Sequence, residues 1–341
     1  MGEDSEVPAP DVTRTTRPRT DSRRPTATAG GPVTGALAAA QASALRSGVV
    51  DWFAEHARDL PWRAPDRTPW GVLVSEVMLQ QTPVVRVLPA WTAWTARWPT
   101  PADLAAASPA DVLRAWDRLG YPRRALRLQE CARAITEHHG GVVPDDEARL
   151  RALPGIGAYT AAAVVAFAFG GRSVVLDTNV RRVLARTVDG AALPAPSQSV
   201  GETARAAALV PPGPADAARW AAASMELGAL VCTARAPRCE ACPVAELCAW
   251  RLAGRPPDEH AARRRTQAWA GTDRQVRGRV MALLRDAPLP VPGEVVDEAW
   301  PDRAQLRRCV AGLVADGLVE EVAAPADDAL PAYRLPLAPV G

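Results

Sequence analysis

The chain predicts an all-α fold carrying a small α/β module at its C-terminal end. Three observations lead there. From about Leu45 to Trp250 the apolar residues recur at helical spacing, run after run. Prolines and glycines fall between those runs, where they punctuate helices. Strand-like stretches appear as a pair only near the end of the chain.

The elements follow in order. Residues 1–35 are rich in Pro, Thr, Arg, Asp and Gly and nearly lack large apolar side chains. They cannot bury enough surface to offset ordering entropy, so a disordered tail is expected to about residue 40. Helices are expected at Val72–Gln81, Pro89–Arg97, Ala110–Leu119, Arg123–His138, Tyr159–Phe169, Val180–Thr187, Glu202–Leu209 and Ala215–Val231, with Ser173–Leu176 extended. Residues 251–274 are polar and carry Arg263, Arg264 and Arg265, which reads as a linker. In 275–341, Val276–Arg285 and Arg303–Asp316 read as amphipathic helices. Leu318–Val322 and Ala332–Leu335 read as strands joined by a Pro/Asp turn. Helices followed by a hairpin suggest a winged-helix-like module.

Composition narrows the function. The 341 residues are 48% hydrophobic and 23% charged, as in globular proteins with two or three domains. No apolar run approaches the roughly 20 residues that span a bilayer, and the N-terminus lacks an apolar signal core, so a cytoplasmic protein without membrane partners is expected. Net charge is only +2, which does not announce nucleic acid. All 40 basic residues are arginine. The absence of lysine excludes any mechanism built on a lysine Schiff base.

Four motifs carry chemistry. Cys232, Cys239, Cys242 and Cys248 are spaced C-x6-C-x2-C-x5-C and read as one thiolate metal site. A [4Fe–4S] cluster suits the spacing best; structural zinc is the rival, although only one C-x2-C knuckle is present. Cys131 and Cys309 are isolated and read as buried filler. Leu153-Pro154-Gly155-Ile156-Gly157 precedes an Ala-rich helix, an arrangement in which backbone N–H groups can grip a phosphate, or which is simply a turn. Asp177 stands between an extended segment and a helix. It reads as an N-cap, or as a carboxylate held at the edge of a cleft. Glu76 lies in the apolar stretch Trp70–Thr82, where burial raises its pKa unless an arginine pairs with it. Together the last three suggest a phosphate grip beside two carboxylates in different environments, one protonated and one ionised. Cleavage of a glycosidic bond needs such a pair, and enzymes that cut it in DNA first flip the nucleotide out.

These motifs in this order resemble the endonuclease III superfamily of DNA glycosylases. Leu60-Pro61-Trp62-Arg63, Ser75-Glu76-Val77-Met78-Leu79-Gln80-Gln81-Thr82 and Gly120-Tyr121 resemble its MutY-type branch. So do Leu176–Val183 and Met225–Cys232. The resemblance covers about residues 46–250. It implies a two-lobed helix-hairpin-helix enzyme in 45–250, with a six-helix lobe at about 73–180 and a cluster lobe from about 45–72 and 181–250. It also implies a [4Fe–4S] cluster and a monomer, nucleoid-associated, that acts on double-stranded DNA with adenine opposite 8-oxoguanine or guanine.

The resemblance assigns residues as well. Glu76 would be the general acid at adenine N7, and Asp177 would stabilise or trap the sugar cation. Tyr159 and Asn179 would hydrogen-bond around these carboxylates. Arg63 and Glu226 would line the adenine pocket, together with Leu79 and Thr82. Gln81 and Tyr121 would enter the duplex, and Gly155 and Gly157 would hold a phosphate. Arg235 and Arg238, on the loop that Cys232 and Cys239 close, would meet further phosphates or else stay solvated. Tyr159 stands where strand-cutting relatives place a lysine, so a monofunctional enzyme is implied.

Departures are also visible. Thr178 replaces a frequent glycine, and Pro122 replaces a frequent tyrosine. The last ~75 residues are too short for the MutT-like domain that many members carry and show no Gly-rich pattern of that kind.

Overall fold

The computed structural model describes residues 39–263, 269–323 and 330–337. The expected N-terminal tail lies almost wholly outside these residues. So do the Pro/Asp turn of the hairpin, the centre of the expected linker and the last four residues.

The glycosylase-like region is helical throughout. Its helices are α1 (Ala39–His56), α2 (Pro69–Leu79), α3 (Val84–Arg97), α4 (Pro101–Ala106), α5 (Pro109–Trp116), α6 (Arg123–His138), α7 (Glu147–Arg151), α8 (Ala158–Phe169), α9 (Thr178–Thr187), α10 (Val200–Leu209), α11 (Pro214–Leu230) and α12 (Ala249–Leu252). Among the described residues, no helix is long and apolar enough to cross a membrane. Local signals explain the starts. Thr68, Thr100 and Ser108 each cap a helix with a side-chain oxygen, and each is followed by proline at the first helical position.

Most boundaries fall within three residues of expectation. The larger differences have physical reasons. α3 begins at Val84, so Pro89 lies inside it rather than opening it. Buried Val87 and Trp94 hold that helix across the hydrogen bond that proline cannot make. The Ala-rich start of α1 gave no cap signal, and Ser173–Leu176, expected extended, forms no strand.

Two apolar cores underlie the lobes. One joins Leu73, Val77, Trp94, Trp116, Leu128 and Val164; the other joins Leu45 and Val49 of α1 to Val183, Trp220 and Leu227. Leu60, Trp62 and Trp70 belong to the first core. α1 therefore packs with the cluster lobe, while Leu60, Trp62 and Trp70 pack with the six-helix lobe.

The C-terminal module contains α13 (Asp273–Asp286), β1 (Val291–Pro292), α14 (Gly293–Asp297), α15 (Arg303–Ala315), β2 (Glu320–Val322) and β3 (Ala332–Arg334). Its antiparallel sheet has the order β1-β3-β2, pairing Val291 with Tyr333 and Glu321 with Tyr333. This is a winged-helix arrangement, and its two-residue strand and five-residue helix were too short to read from the sequence. The module is not a loosely tethered unit. Val276, Val280, Met281 and Leu284 of α13 belong to the same apolar core as Leu113 and Trp116 of α5. Arg123 bridges to Asp316 at 3.2 Å across the same junction.

Candidate active site

A cleft of about 1230 Å³ is lined by residues of both lobes. α2 enters it almost fully buried. Glu76, on the second turn of α2, is 5% exposed. Its partner is not an arginine: Tyr159, at the start of α8, donates its hydroxyl to Glu76 Oε2 at 2.9 Å. Burial pushes the Glu76 carboxyl up to about 7, with the Asp177 charge adding to it, while the Tyr159 hydroxyl and the Arg63 charge oppose the rise. The group is thus poised between acid and carboxylate near neutral pH.

Asp177 caps α9 and also faces the cleft, so both sequence readings of it hold in the geometry. Its Oδ1 accepts from the Val180 N–H at 2.7 Å, and its Oδ2 accepts from Asn179 Nδ2 at 2.7 Å. Burial raises its pKa; the Val180 and Asn179 donors and the nearby Arg182 charge pull it back. Two carboxylates on one cleft therefore differ in kind. Glu76 has one neutral donor, and Asp177 has several donors that favour its ionised form.

Arg63 and Glu226 divide the task that the sequence gave them jointly. Arg63 lines the cleft, whereas Glu226 has no exposed side-chain surface and stands behind the wall. Glu226 accepts from Arg58 Nε at 2.7 Å, from the Arg58 backbone N–H at 3.0 Å and from Arg63 Nη2 at 3.0 Å. Although burial opposes it, the Arg58 and Arg63 bonds hold the Glu226 carboxyl down at about 2. Glu226 thus anchors the arginine rather than facing a ligand, and Arg63 Nη1 remains buried without a hydrogen-bond partner.

Leu79, Gln81 and Thr82 follow on the rim of the cleft. Gln81 and Tyr121 share an unusual feature: both are non-glycine residues in the left-handed region, at φ 55° and 49°. One arginine that the sequence reading missed holds both segments. Arg124 donates to the carbonyls of Val77, Met78 and Gln80 at 2.8, 3.1 and 2.7 Å. It also donates to Thr82 Oγ1, Leu119 O and Gly120 O at 3.1, 3.2 and 3.0 Å. Strain at two tips is tolerated where the surroundings over-determine it. Tyr121 is 41% exposed, so it is not a core aromatic.

The hairpin between α7 and α8 carries Gly155 at φ 76°, a turn that other residues resist. A Cβ there would also meet the Arg127 side chain at 3.0 Å. Gly157 caps α8 and leaves its first N–H groups open.

Cys232, Cys239, Cys242 and Cys248 line one small enclosed space together with Arg186 and Trp250. Buried Arg186, also unforeseen, donates to Cys232 Sγ at 3.3 Å and to Thr233 O at 2.7 Å. Four thiols around one cavity suit a metal centre chemically. Among the described residues, no group of three or more such side chains is placed to hold a single ion. Arg235 is solvent-exposed, while Arg238 is tied to the Leu230 carbonyl. The metal loop also reaches the carboxylates. Arg182 donates to Cys232 O at 2.6 Å and to Asn179 Oδ1 at 2.7 Å, and Asn179 in turn holds Asp177.

Comparison with known proteins agrees with this architecture. Residues 74–203 match the family model of the HhH-GPD superfamily of base excision DNA repair proteins. Residues 232–248 match that of the iron–sulfur binding domain of endonuclease III. An adenine DNA glycosylase of Mycolicibacterium smegmatis is 53% identical over 276 residues, 81% of this chain and 92% of that protein. A thermostable thymine-DNA glycosylase superposes with a TM-score of 0.56 at 26% identity, over 63% of this chain and 98% of that one. A trapped endonuclease III–DNA covalent intermediate shares the fold, with a TM-score of 0.56 at 23% identity over 64% of this chain and 100% of that one. With that identity across most of both chains, and with its own iron–sulfur binding segment, the chain belongs to the adenine DNA glycosylase family of base excision repair.

Proposed function

We propose that the enzyme excises adenine paired with 8-oxoguanine or guanine in double-stranded DNA and leaves an uncut strand with an abasic site. The observation that carries this reading is the pair Glu76 and Asp177 on one cleft, the first raised to about 7 and held by one neutral donor, the second held by the Val180 N–H and Asn179. Gly155 and Gly157 hold a backbone phosphate while the adenosine flips into the cleft. Arg63, which lines the cleft, meets an acceptor on the base.

Glu76 enters the reaction protonated and donates to adenine N7. The N-glycosidic bond then breaks with its electron pair on the base, and positive charge develops on the sugar. Asp177 stabilises that charge or bonds transiently to C1′. Water adds to C1′, displacing Asp177 where it has bonded, and passes a proton to the Glu76 carboxylate, which completes hydrolysis to free adenine and an abasic site. Tyr159 keeps Glu76 oriented, and Asn179 keeps Asp177 ionised and aimed. With no lysine anywhere in the chain, no Schiff base forms on a side-chain amine, so the strand is not cut.

Cys232, Cys239, Cys242 and Cys248 would hold a [4Fe–4S] cluster, which folds the loop that carries Arg235 and Arg238 toward phosphates. The enzyme acts as a monomer at the nucleoid, with its glycosylase region at 45–250 and the winged-helix module at 275–341.

A panel of duplexes tests the reading. The expected result is adenine release from A:8-oxoguanine and A:G, with strand breaks only after alkali. Thymine release from T:G with adenine untouched, or breaks without alkali, would overturn it.

A further inference from the structure

The C-terminal module places one side chain against the site. Arg274, in the first turn of α13, lies over the Tyr121 ring at 4.6 Å and over the Trp269 ring at 5.2 Å. Tyr121 and Trp269 are 41% and 55% exposed, and Arg274 is exposed as well. The result is an aromatic–arginine–aromatic row open to solvent. It starts at a residue proposed to enter the duplex and continues onto a different module.

Three features suit this row to nucleic acid. Arg274 makes no ion pair among the described residues, so its charge is unspent. The neighbouring carboxylate, Asp273, is already held by Arg308 at 3.1 Å and by Gln305 Nε2 at 2.9 Å. The row is also fixed in place. α13 is packed into the core of the six-helix lobe, and Thr272 both caps α13 and donates to the Trp269 carbonyl at 2.8 Å. A pre-ordered guanidinium beside exposed aromatic faces is how proteins hold a nucleic-acid backbone and stack on its bases without reading sequence.

We propose that the winged-helix module is part of the DNA interface. Arg274 and Trp269 extend the Tyr121 edge of the cleft and grip the strand opposite the excised adenine, Arg274 through a phosphate and Trp269 by stacking. This rests on the reading of Tyr121 as a duplex-entering residue.

The test uses the full chain in a Glu76→Gln background, titrated with an A:8-oxoguanine duplex at several salt concentrations. Losing one phosphate contact lowers the slope of log K against log salt by about 0.9, so for Arg274→Ala the fall in affinity between roughly 50 and 200 mM salt shrinks about threefold. Trp269→Ala weakens binding by about tenfold, in the range for one lost stacking partner, while Trp269→Phe restores most of it. Affinity and salt slope equal to the parent's in both Arg274→Ala and Trp269→Ala would overturn the proposal and point to a protein partner for the module. Adenine release by the otherwise native chain on the same duplex separates the two readings. If release is present and affinities are unchanged, only this inference falls. If release is absent, the reading of the cleft falls.

Discussion

Replacing Glu76 with glutamine should abolish the acid and make the folded protein more stable at alkaline pH. Burial lifts the Glu76 pKa from the ordinary 4.5 to about 7. The folded state therefore binds a proton that the unfolded state releases between those two values. Stability of the native enzyme falls as pH rises through that window and levels off above about 7. At about 1.4 kcal/mol per tenfold change in the proton equilibrium, the ionised Glu76 costs the fold about 3 kcal/mol at pH 8.5. Glutamine carries no such cost. Its amide keeps an oxygen for the Tyr159 hydroxyl but leaves a buried N–H group poorly paired, at about 1 kcal/mol. Glu76→Gln should thus match the native chain near pH 5 and exceed it by about 2 kcal/mol at pH 8.5, a few degrees in Tm. Thermal unfolding across that pH range reads the difference. A gap that is absent, or that does not open with pH, would refute the claim that Glu76 is held in a site hostile to its charge.

Two other perturbations follow from the same geometry. Arg124→Ala strips six acceptors and frees Gln81 and Tyr121 from their left-handed conformation. Denaturant unfolding should show a loss of about 3 kcal/mol, and affinity for a mispaired duplex should fall with it; native affinity would show that the two tips are not held for DNA. The native chain should carry about four irons by elemental analysis, as expected for a thiolate-bound cluster. Cys232→Ser should lose iron and also slow excision, because the Cys232 carbonyl, Arg182, Asn179 and Asp177 form one hydrogen-bonded chain; stoichiometric zinc would contradict the cluster.

What was legible in the sequence was local. Eight helices of the glycosylase region followed from spacing and punctuation, and α6 matches its expected limits at both ends; α1, α4, α7 and α12 were not singled out. The burial of Glu76 followed from the apolar run around it. Its partner did not, because Tyr159 lies 83 residues away and only the fold brings the two together. Partners 46 to 50 residues away likewise hid the roles of Arg124, Arg182 and Arg186. In a chain whose 40 basic residues are all arginine, nothing local marks the few that are buried. Glu226 shows another limit of local reading. Its place in a recognisable motif suggested contact with the ligand, while the surrounding charges make it an anchor for Arg58 and Arg63. The docking of α13 on α5 was invisible for a further reason: an amphipathic helix shows which face it buries, not what covers it.

The central claim is that Glu76 and Asp177 together break the bond. Single-turnover adenine release from an A:8-oxoguanine duplex tests it most directly, with Glu76→Gln and Asp177→Asn compared to the native chain at saturating enzyme. Both variants should bind the duplex, and the glutamine variant should release no detectable adenine. Asp177→Asn should be slower by at least a hundredfold, the scale on which a positioned charge acts in a dry site. Release at the native rate by either variant would contradict the account.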